Sequence, residues 1–393
     1  FDDSTLSSLF FADDIVLLAD SAAELKRLLA VCAKYASHHR FDFSVEKSNV
    51  VVFGPATHRD TTRMWPLGGL MIAEKEEYVY LGVKLTANLS WPAHVEPALD
   101  RAKGKLASLV GQRLIGKRSP LILSRLLLDS LVLCGLERAS ELIAFDKHGN
   151  IGLRAQLEGF LARTCRMMLG AHGTANNDGV TAACGFIGMR GRWAIRALRF
   201  FGHVYRLPDT RLARKVLTYS LSVPASPKGS AARQSRWLTN VRELIIEYKI
   251  NMRVVRSEVD WNKHVRDSVW SIEQDRWAER RKSASRLQLY ASHRSIAIDC
   301  TVDVLPARTR LALHSLRLNF HDLQQELWRR QRSPHRACPL CLWHTETVAH
   351  TMCLCSHAEM KAQRNAAWEA LQAQMTSLGL DRTLEKWSSG TGD

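Results

Sequence analysis

Residues 9–29 read LFFADDIVLLADSAAELKRLL, and the fold of the first part of the chain follows from them. Two short apolar runs flank Ala12-Asp13-Asp14, the pattern of a β-hairpin over residues 5–19. Ser21 followed three residues later by Glu24 has the spacing of a capping box and predicts an amphipathic helix to about Ser37. Two adjacent carboxylates at the tip of an apolar hairpin are costly unless a cation neutralises them. Paired aspartates on rigid strands are one way to hold the divalent metal of a phosphoryl-transfer site. Aspartate is also a common turn residue, so a plain solvent-exposed turn stays open on these residues alone.

Outward from this stretch, FDFSVEKSNVVVF (residues 41–53) alternates, then runs apolar, and ends at Gly54-Pro55, predicting a strand pair or extended segment. EYVYLGVKL (77–85) is a further strand candidate. From about His94 the periodicity turns helical, with candidate helices at 93–115, 120–134, 151–169, 191–206 and 210–220. SVPASPKGSAARQSR (222–236) breaks the pattern with proline, glycine and serine and reads as a linker. Helical patterns resume at 237–250, 259–290 and 307–332, and a last one covers 357–378.

Charge divides the chain unevenly. The 393 residues carry a net charge of +16, yet residues 1–100 hold 9 basic and 14 acidic side chains, leaving +21 on the remainder. That asymmetry points to a polyanion, most simply nucleic acid, on the larger part. Glycine and proline together number 33, about 8% against the roughly 12% of average usage, which excludes a turn-rich all-β protein. No apolar run approaches the ~20 residues of a bilayer span, so no membrane partner is expected.

Five of the nine cysteines are scattered, whereas four crowd into residues 338–355, unlike a secreted disulfide scaffold. Cys338-Pro-Leu-Cys341 forms a C-x-x-C knuckle; eight residues separate Cys341 from His350, and four separate His350 from Cys355. Three thiolates and an imidazole make a closed tetrahedral Zn²⁺ site with no position for substrate. Cys353 rivals Cys355 for the last place, and His344 is a weaker rival for the third. Arg329, Arg330, Arg332 and Arg336 set basic charge beside the knuckle, the footprint of a nucleic-acid-binding module.

Phe11-Ala12-Asp13-Asp14 resembles the aromatic-Ala-Asp-Asp signature of reverse transcriptases, and the whole string 9–29 resembles the non-LTR (LINE-type) retrotransposon enzymes. Phe43-Ser44-Val45-Glu46-Lys47-Ser48 before Val50–Phe53 resembles that family's next motif, Tyr80-Leu81-Gly82-Val83 its primer-grip hairpin, and CPLCLWHTETVAHTMCLC its C-terminal zinc knuckle. The resemblance implies an α+β chain: a remnant of a polymerase palm built of antiparallel hairpins, then a mostly α-helical thumb and connector, then a small zinc knuckle. It implies that Asp13 is a direct ligand of two catalytic Mg²⁺ ions and Asp14 a weaker one. Lys47 would stabilise the departing pyrophosphate, and Tyr80, Leu81 and Gly82 would support the primer. Read without the family, Lys47 is equally a solvated surface lysine, and Tyr78 and Tyr80 are equally packing residues.

The implied organisation is palm at 1–90, thumb at 91–145, connector at 146–221, linker at 222–236, C-terminal helical region at 237–332 and knuckle with closing helix at 333–393. Arg196–Pro208 and Arg233-Gln-Ser-Arg236-Trp237 resemble segments that come after the thumb in LINE-type proteins. Arg199, Arg206, Arg233 and Arg236 among them, with Arg329 and Arg330, are candidate nucleic-acid contacts. Interleaved with aromatics they suit stacking on single-stranded RNA, and they equally suit helix packing. The implied partners are an RNA template, a target DNA primer and a dNTP. The implied location is intracellular, in the nucleus and in cytoplasmic ribonucleoprotein. Such polymerases need a third carboxylate from an earlier palm strand. Because Phe1 leads almost directly into the hairpin, the sequence reads as lacking its N-terminal part and is expected to be inactive alone. Two alternatives remain: a decayed element that binds nucleic acid without polymerising, and an intron-type maturase, which the knuckle disfavours.

Overall fold

The computed structural model describes residues 6–54, 56–143, 151–223, 235–284, 287 and 295–377. Among these, the seven strands all lie between Ser8 and Thr86, and helices occupy most of the chain beyond Thr86, giving a mixed α+β protein. Strands β1 (Ser8–Phe11) and β2 (Asp14–Leu17) pair antiparallel with Phe11 opposite Asp14, so the turn is Ala12-Asp13 alone. Ala12 sits at φ 53, where two-residue hairpin turns favour glycine. Helix α1 (Ala22–His39) starts as its spacing predicts: the Ser21 hydroxyl accepts from the Glu24 N–H at 3.2 Å. The Glu24 carboxylate reaches back to the Asp20 N–H at 3.2 Å.

Of the strand pair or extended segment expected at 41–53, the one regular strand is β3 (Asn49–Val50), because residues 45–47 form a turn. β3 runs parallel to β5 (Leu70–Glu74), which pairs on its other side with β4 (Met64–Leu67). β4 is an edge strand, which is how the sheet tolerates Pro66. Strands β6 (Glu77–Tyr80) and β7 (Val83–Thr86) form a separate hairpin. Its two turn residues, Leu81 (φ 49) and Gly82 (φ 78), are both left-handed, as a type I′ turn requires. Leu29, Val50, Trp65, Leu67 and Ile72 make a small core beneath α1 and the three-stranded sheet.

The helical part begins with α2 (Pro92–Gly111). Helix α3 (Leu121–Leu127) continues through one π turn, Leu128–Leu133, into α4 (Cys134–Leu136). Then come α5 (Ile151–Leu169), the short α6 (Asn177–Ala183), α7 (Met189–Arg206) and α8 (Leu212–Ser222). Helices α9 (Arg236–Glu247) and α10 (Glu258–Ser283) come after the linker, most of which lies outside the described residues. The helix expected over 307–332 is two, α12 (Ala307–Arg317) and α13 (Gln324–Arg329), preceded by α11 (Cys300–Asp303). Asn319, at φ 53, breaks it. The last helix is α14 (Ala358–Ser377). No helix among the described residues is long and apolar enough to cross a membrane.

One hydrophobic core runs from Val95 to Phe320, so the segments read from sequence as thumb, connector and C-terminal region share it. Asp303 joins the two ends of this body: its carboxylate accepts from the Leu121 and Ile122 N–H groups at 2.6 and 3.1 Å and caps α3. Arg310 adds bonds to the Arg118 and Ser119 carbonyls at 3.2 and 3.0 Å.

Helix α7 packs most closely on α10, and the fully buried Trp261 lies in that contact. Its indole N–H donates to the Leu198 carbonyl at 3.0 Å, and the ring lies over Gly202, where a Cβ would fall 2.0 Å from Trp261 Nε1. Replacing Gly202→Ala therefore has to expel the indole. Overpacking of this kind costs about 1–3 kcal/mol. Equilibrium denaturant unfolding of that variant is expected to show the loss with an unchanged slope, whereas wild-type stability would mean that the two helices do not meet there.

Candidate functional site

The hairpin turn holds both candidate carboxylates in solvent: Asp13 is the second turn residue, Asp14 is the first residue of β2, and both are exposed. The β6–β7 hairpin lies close by. Burial raises the Tyr78 hydroxyl above its ordinary value, and the negative charge of Asp14, then Tyr80, adds to the effect. Tyr78 and Tyr80 are half-buried on one face of β6 while Val79 between them faces solvent, so both aromatics pack as well as flank the turn. Leu81 and Gly82 form the turn itself. Lys47 sits in the exposed turn at 45–47, where its carbonyl accepts from Asn49 Nδ2 at 3.4 Å.

The arginines singled out in the sequence are mostly engaged within the fold. Arg199 donates to the Asn262 carbonyl at 3.2 Å, and Arg206 to the Val255 carbonyl at 3.1 Å. Arg329 pairs with Glu326 at 2.6 Å, and Arg330 with Asp322 at 3.1 Å and the His321 carbonyl at 3.1 Å. Arg236 opens α9, and Arg233 lies outside the described residues. Trp237, next to Arg236, donates its indole N–H to the Glu141 carbonyl at 2.8 Å and meets Phe200 edge-on at 5.8 Å. The aromatics of both strings thus serve helix packing, the second of the two roles open to them.

The cysteine cluster assembles. The ligand atoms of Cys338, Cys341, His350 and Cys355 all lie within 4.8 Å of one another. An isolated bridge between Ala337 and Thr345 folds the knuckle back on itself, and Leu342 at φ 61 makes its turn. Burial pushes the Cys338 thiol up, opposed by N–H groups of Cys341 and Leu340 directed at its sulfur. Burial also works to raise Cys341, yet the N–H groups of Trp343 and His344 bring it below the ordinary thiol value. Backbone amides aimed at sulfur favour the thiolate, the form a metal takes. His350 begins a π turn over residues 350–354 that sets Cys355 beneath it, with the Cys355 N–H bonded to the His350 carbonyl at 2.7 Å. His350 Nε2 stands 3.3 Å from Cys341 Sγ.

This donor set can hold a metal ion such as Zn²⁺. The fourth place in this donor set falls to Cys355; its rival Cys353 is exposed and outside the cluster, and so is His344, whose ring centroid lies 5.5 Å from that of His350. Two residues that the spacing does not reveal fasten the module to its neighbours. The buried Glu346 carboxylate accepts from the Gln324 N–H at 2.6 Å and caps α13, while Arg364 of α14 donates to the Cys355 carbonyl at 2.6 Å. Their partners are backbone groups, which leave no pattern in a sequence.

A Cys355→Ser variant is expected to lose the bound metal on dialysis, and Cys353→Ser to keep about one equivalent per chain, as read by metal analysis. Loss by Cys353→Ser alone would move the fourth ligand to Cys353, and retention by both would show that neither is required.

Compared with known proteins, the chain matches no protein-family model, no curated protein and no solved structure.

Proposed function

We propose that this chain is the palm-end, thumb and zinc-knuckle portion of an RNA-directed DNA polymerase of the non-LTR retrotransposon kind. The observation that carries the reading is the coincidence of motif and geometry at the first hairpin: the Phe-Ala-Asp-Asp string falls on a two-residue turn with both carboxylates exposed. Tyr80-Leu81-Gly82 on an adjacent hairpin and the assembled Cys/His cluster give further support.

Two neighbouring carboxylates in solvent suit Mg²⁺, a hard ion that keeps several waters and takes one or two protein oxygens. Asp13 and Asp14 would hold it, Asp13 as the closer ligand. Bound there, the metal would acidify the primer 3′-hydroxyl and neutralise charge developing on the α-phosphate. Tyr80, Leu81 and Gly82 support the primer strand. Lys47 offers a cation to the departing pyrophosphate. The substrates on this reading are a dNTP, an RNA template and a DNA 3′ end, with priming from a nicked target, in the nucleus and in cytoplasmic ribonucleoprotein. The Zn²⁺ module is structural.

Primer extension on an RNA template tests this reading, using a polypeptide in which the chain is preceded by a palm segment carrying the third carboxylate. Asp13→Ala is expected to lower the rate by at least about 100-fold, on the scale of removing a group that stabilises transition-state charge. Equal rates would take Asp13 out of catalysis and leave a nucleic-acid-binding protein.

A further inference from the structure

The turn of the β6–β7 hairpin is fastened to the base of the helical part by two residues that no motif marks. Arg138, just beyond α4, donates from Nη2 to the Leu81 carbonyl at 2.6 Å. Its guanidinium lies flat against Gly82, where a Cβ would come within 2.8 Å of Arg138 Nε and 2.9 Å of Cζ. Gly82 is therefore required twice, by its φ of 78 and by the arginine over it. The second fastener is the buried His94 of α2. Its Nδ1 accepts from the Lys84 N–H at 3.2 Å, which leaves the proton on Nε2 to meet the Arg138 carbonyl at 3.3 Å.

This joint collects positive charge. Burial lowers the His94 pKa, and the charges of Arg101, Arg138 and Lys84 lower it further, against the bond to the Arg138 carbonyl. Lys84 is neutralised by Glu77 at 2.6 Å. Arg101 and Arg138 are exposed, and neither has a carboxylate partner among the described residues. Among the described residues, the Arg138 side chain is held at one nitrogen only. An anchored guanidinium, with a second arginine whose charge also reaches His94, matches the oxygens of a phosphodiester.

We propose that Arg101 and Arg138 form a phosphate-binding site at the hairpin–helix joint, gripping the backbone of the nucleic-acid strand that lies along the Tyr80–Gly82 turn. The proposal rests on the polymerase reading and adds to it the contact that fixes the strand at the turn. Arg138 both binds the phosphate and, through the Leu81 carbonyl, positions the turn; Arg101 supplies charge alone.

The test is the affinity of the whole chain for an RNA–DNA duplex with a recessed DNA 3′ end, measured by fluorescence anisotropy across a range of salt concentrations. Each lost phosphate contact lowers the slope of log K against log salt by about 0.7–0.9. Arg101→Ala and Arg138→Ala should each show that decrease and a several-fold weaker affinity at low salt, with unchanged metal content. Arg138→Lys, which keeps the charge, should restore the slope. A merely structural arginine would not move it. Wild-type slopes and affinities in both alanine variants would overturn the site while leaving the polymerase reading intact. Failure of the wild-type chain to bind the duplex at all would overturn both. The Arg101 side chain makes no hydrogen bond or ion pair among the described residues, so its variant decides the matter even where Arg138→Ala unfolds.

Discussion

Helix α7 must be buried on nearly every side while carrying five arginines, and the way those charges are matched organises the helical body. Arg190 pairs with Glu247 at the end of α9, where Arg276 of α10 also binds that carboxylate at 2.8 Å. Arg192 pairs with Glu137 and, at 2.9 Å, with Asp129. Arg196 donates to the Glu137 carbonyl and the Ser140 hydroxyl, Arg199 to the Asn262 carbonyl and Arg206 to the Val255 carbonyl. Together the guanidiniums reach residues after α4, in α9, in α10 and at Val255, so the helix works as a hub. A buried charge is tolerated only when paired and hydrogen-bonded, which makes this arrangement demanding of geometry. The Glu158 carboxylate completes it by accepting from the Arg190 N–H at 3.2 Å, capping a helix whose own N-cap, Gly188, has no side chain to do so.

Because α7 ties together α3–α4, α9 and α10, the helical segments share one core. Asp303 and Arg310 close the same body from the far end of the sequence. The two small sheets nearest the chain start keep a core of their own, and the β6–β7 hairpin connects to the helices through His94 and Arg138. On the proposed function, the turn that supports the primer is thus fixed to the base of the helices that would hold the duplex. On the proposed function the positive charge of the larger part divides accordingly: the α7 arginines serve the fold, and charge for a polyanion would come from side chains with no carboxylate partner among the described residues, such as Arg101 and Arg138.

What could be read in the sequence was local. The hairpin at Asp13-Asp14, the Ser21/Glu24 cap and the cysteine spacing each depend on residues a few positions apart, and each appears as read. The β4–β5 hairpin was hidden because Pro66 argues against a strand, although Gly68-Gly69 between two apolar runs marks its turn. Helix α6 is only seven residues long and starts on Asn176, too little periodicity to stand out. The break at Asn319 depends on a left-handed residue that other amino acids rarely adopt, a signal present but faint. The roles of Arg199 and Arg206 were not legible at all, since their partners are carbonyls 63 and 49 residues away. An arginine among aromatics looks the same whether it faces a phosphate or a neighbouring helix.

The α7 arginines hold the helical body together through their ion pairs. The most direct measurement is equilibrium unfolding of Arg192→Met, which keeps the aliphatic packing and removes the charge, alongside its affinity for single-stranded RNA. Leaving the buried Glu137 carboxylate without its cation should cost about 3 kcal/mol. RNA affinity under native conditions should stay at the wild-type value. Unchanged stability combined with weakened RNA binding would contradict this role and place Arg192 on a nucleic-acid surface.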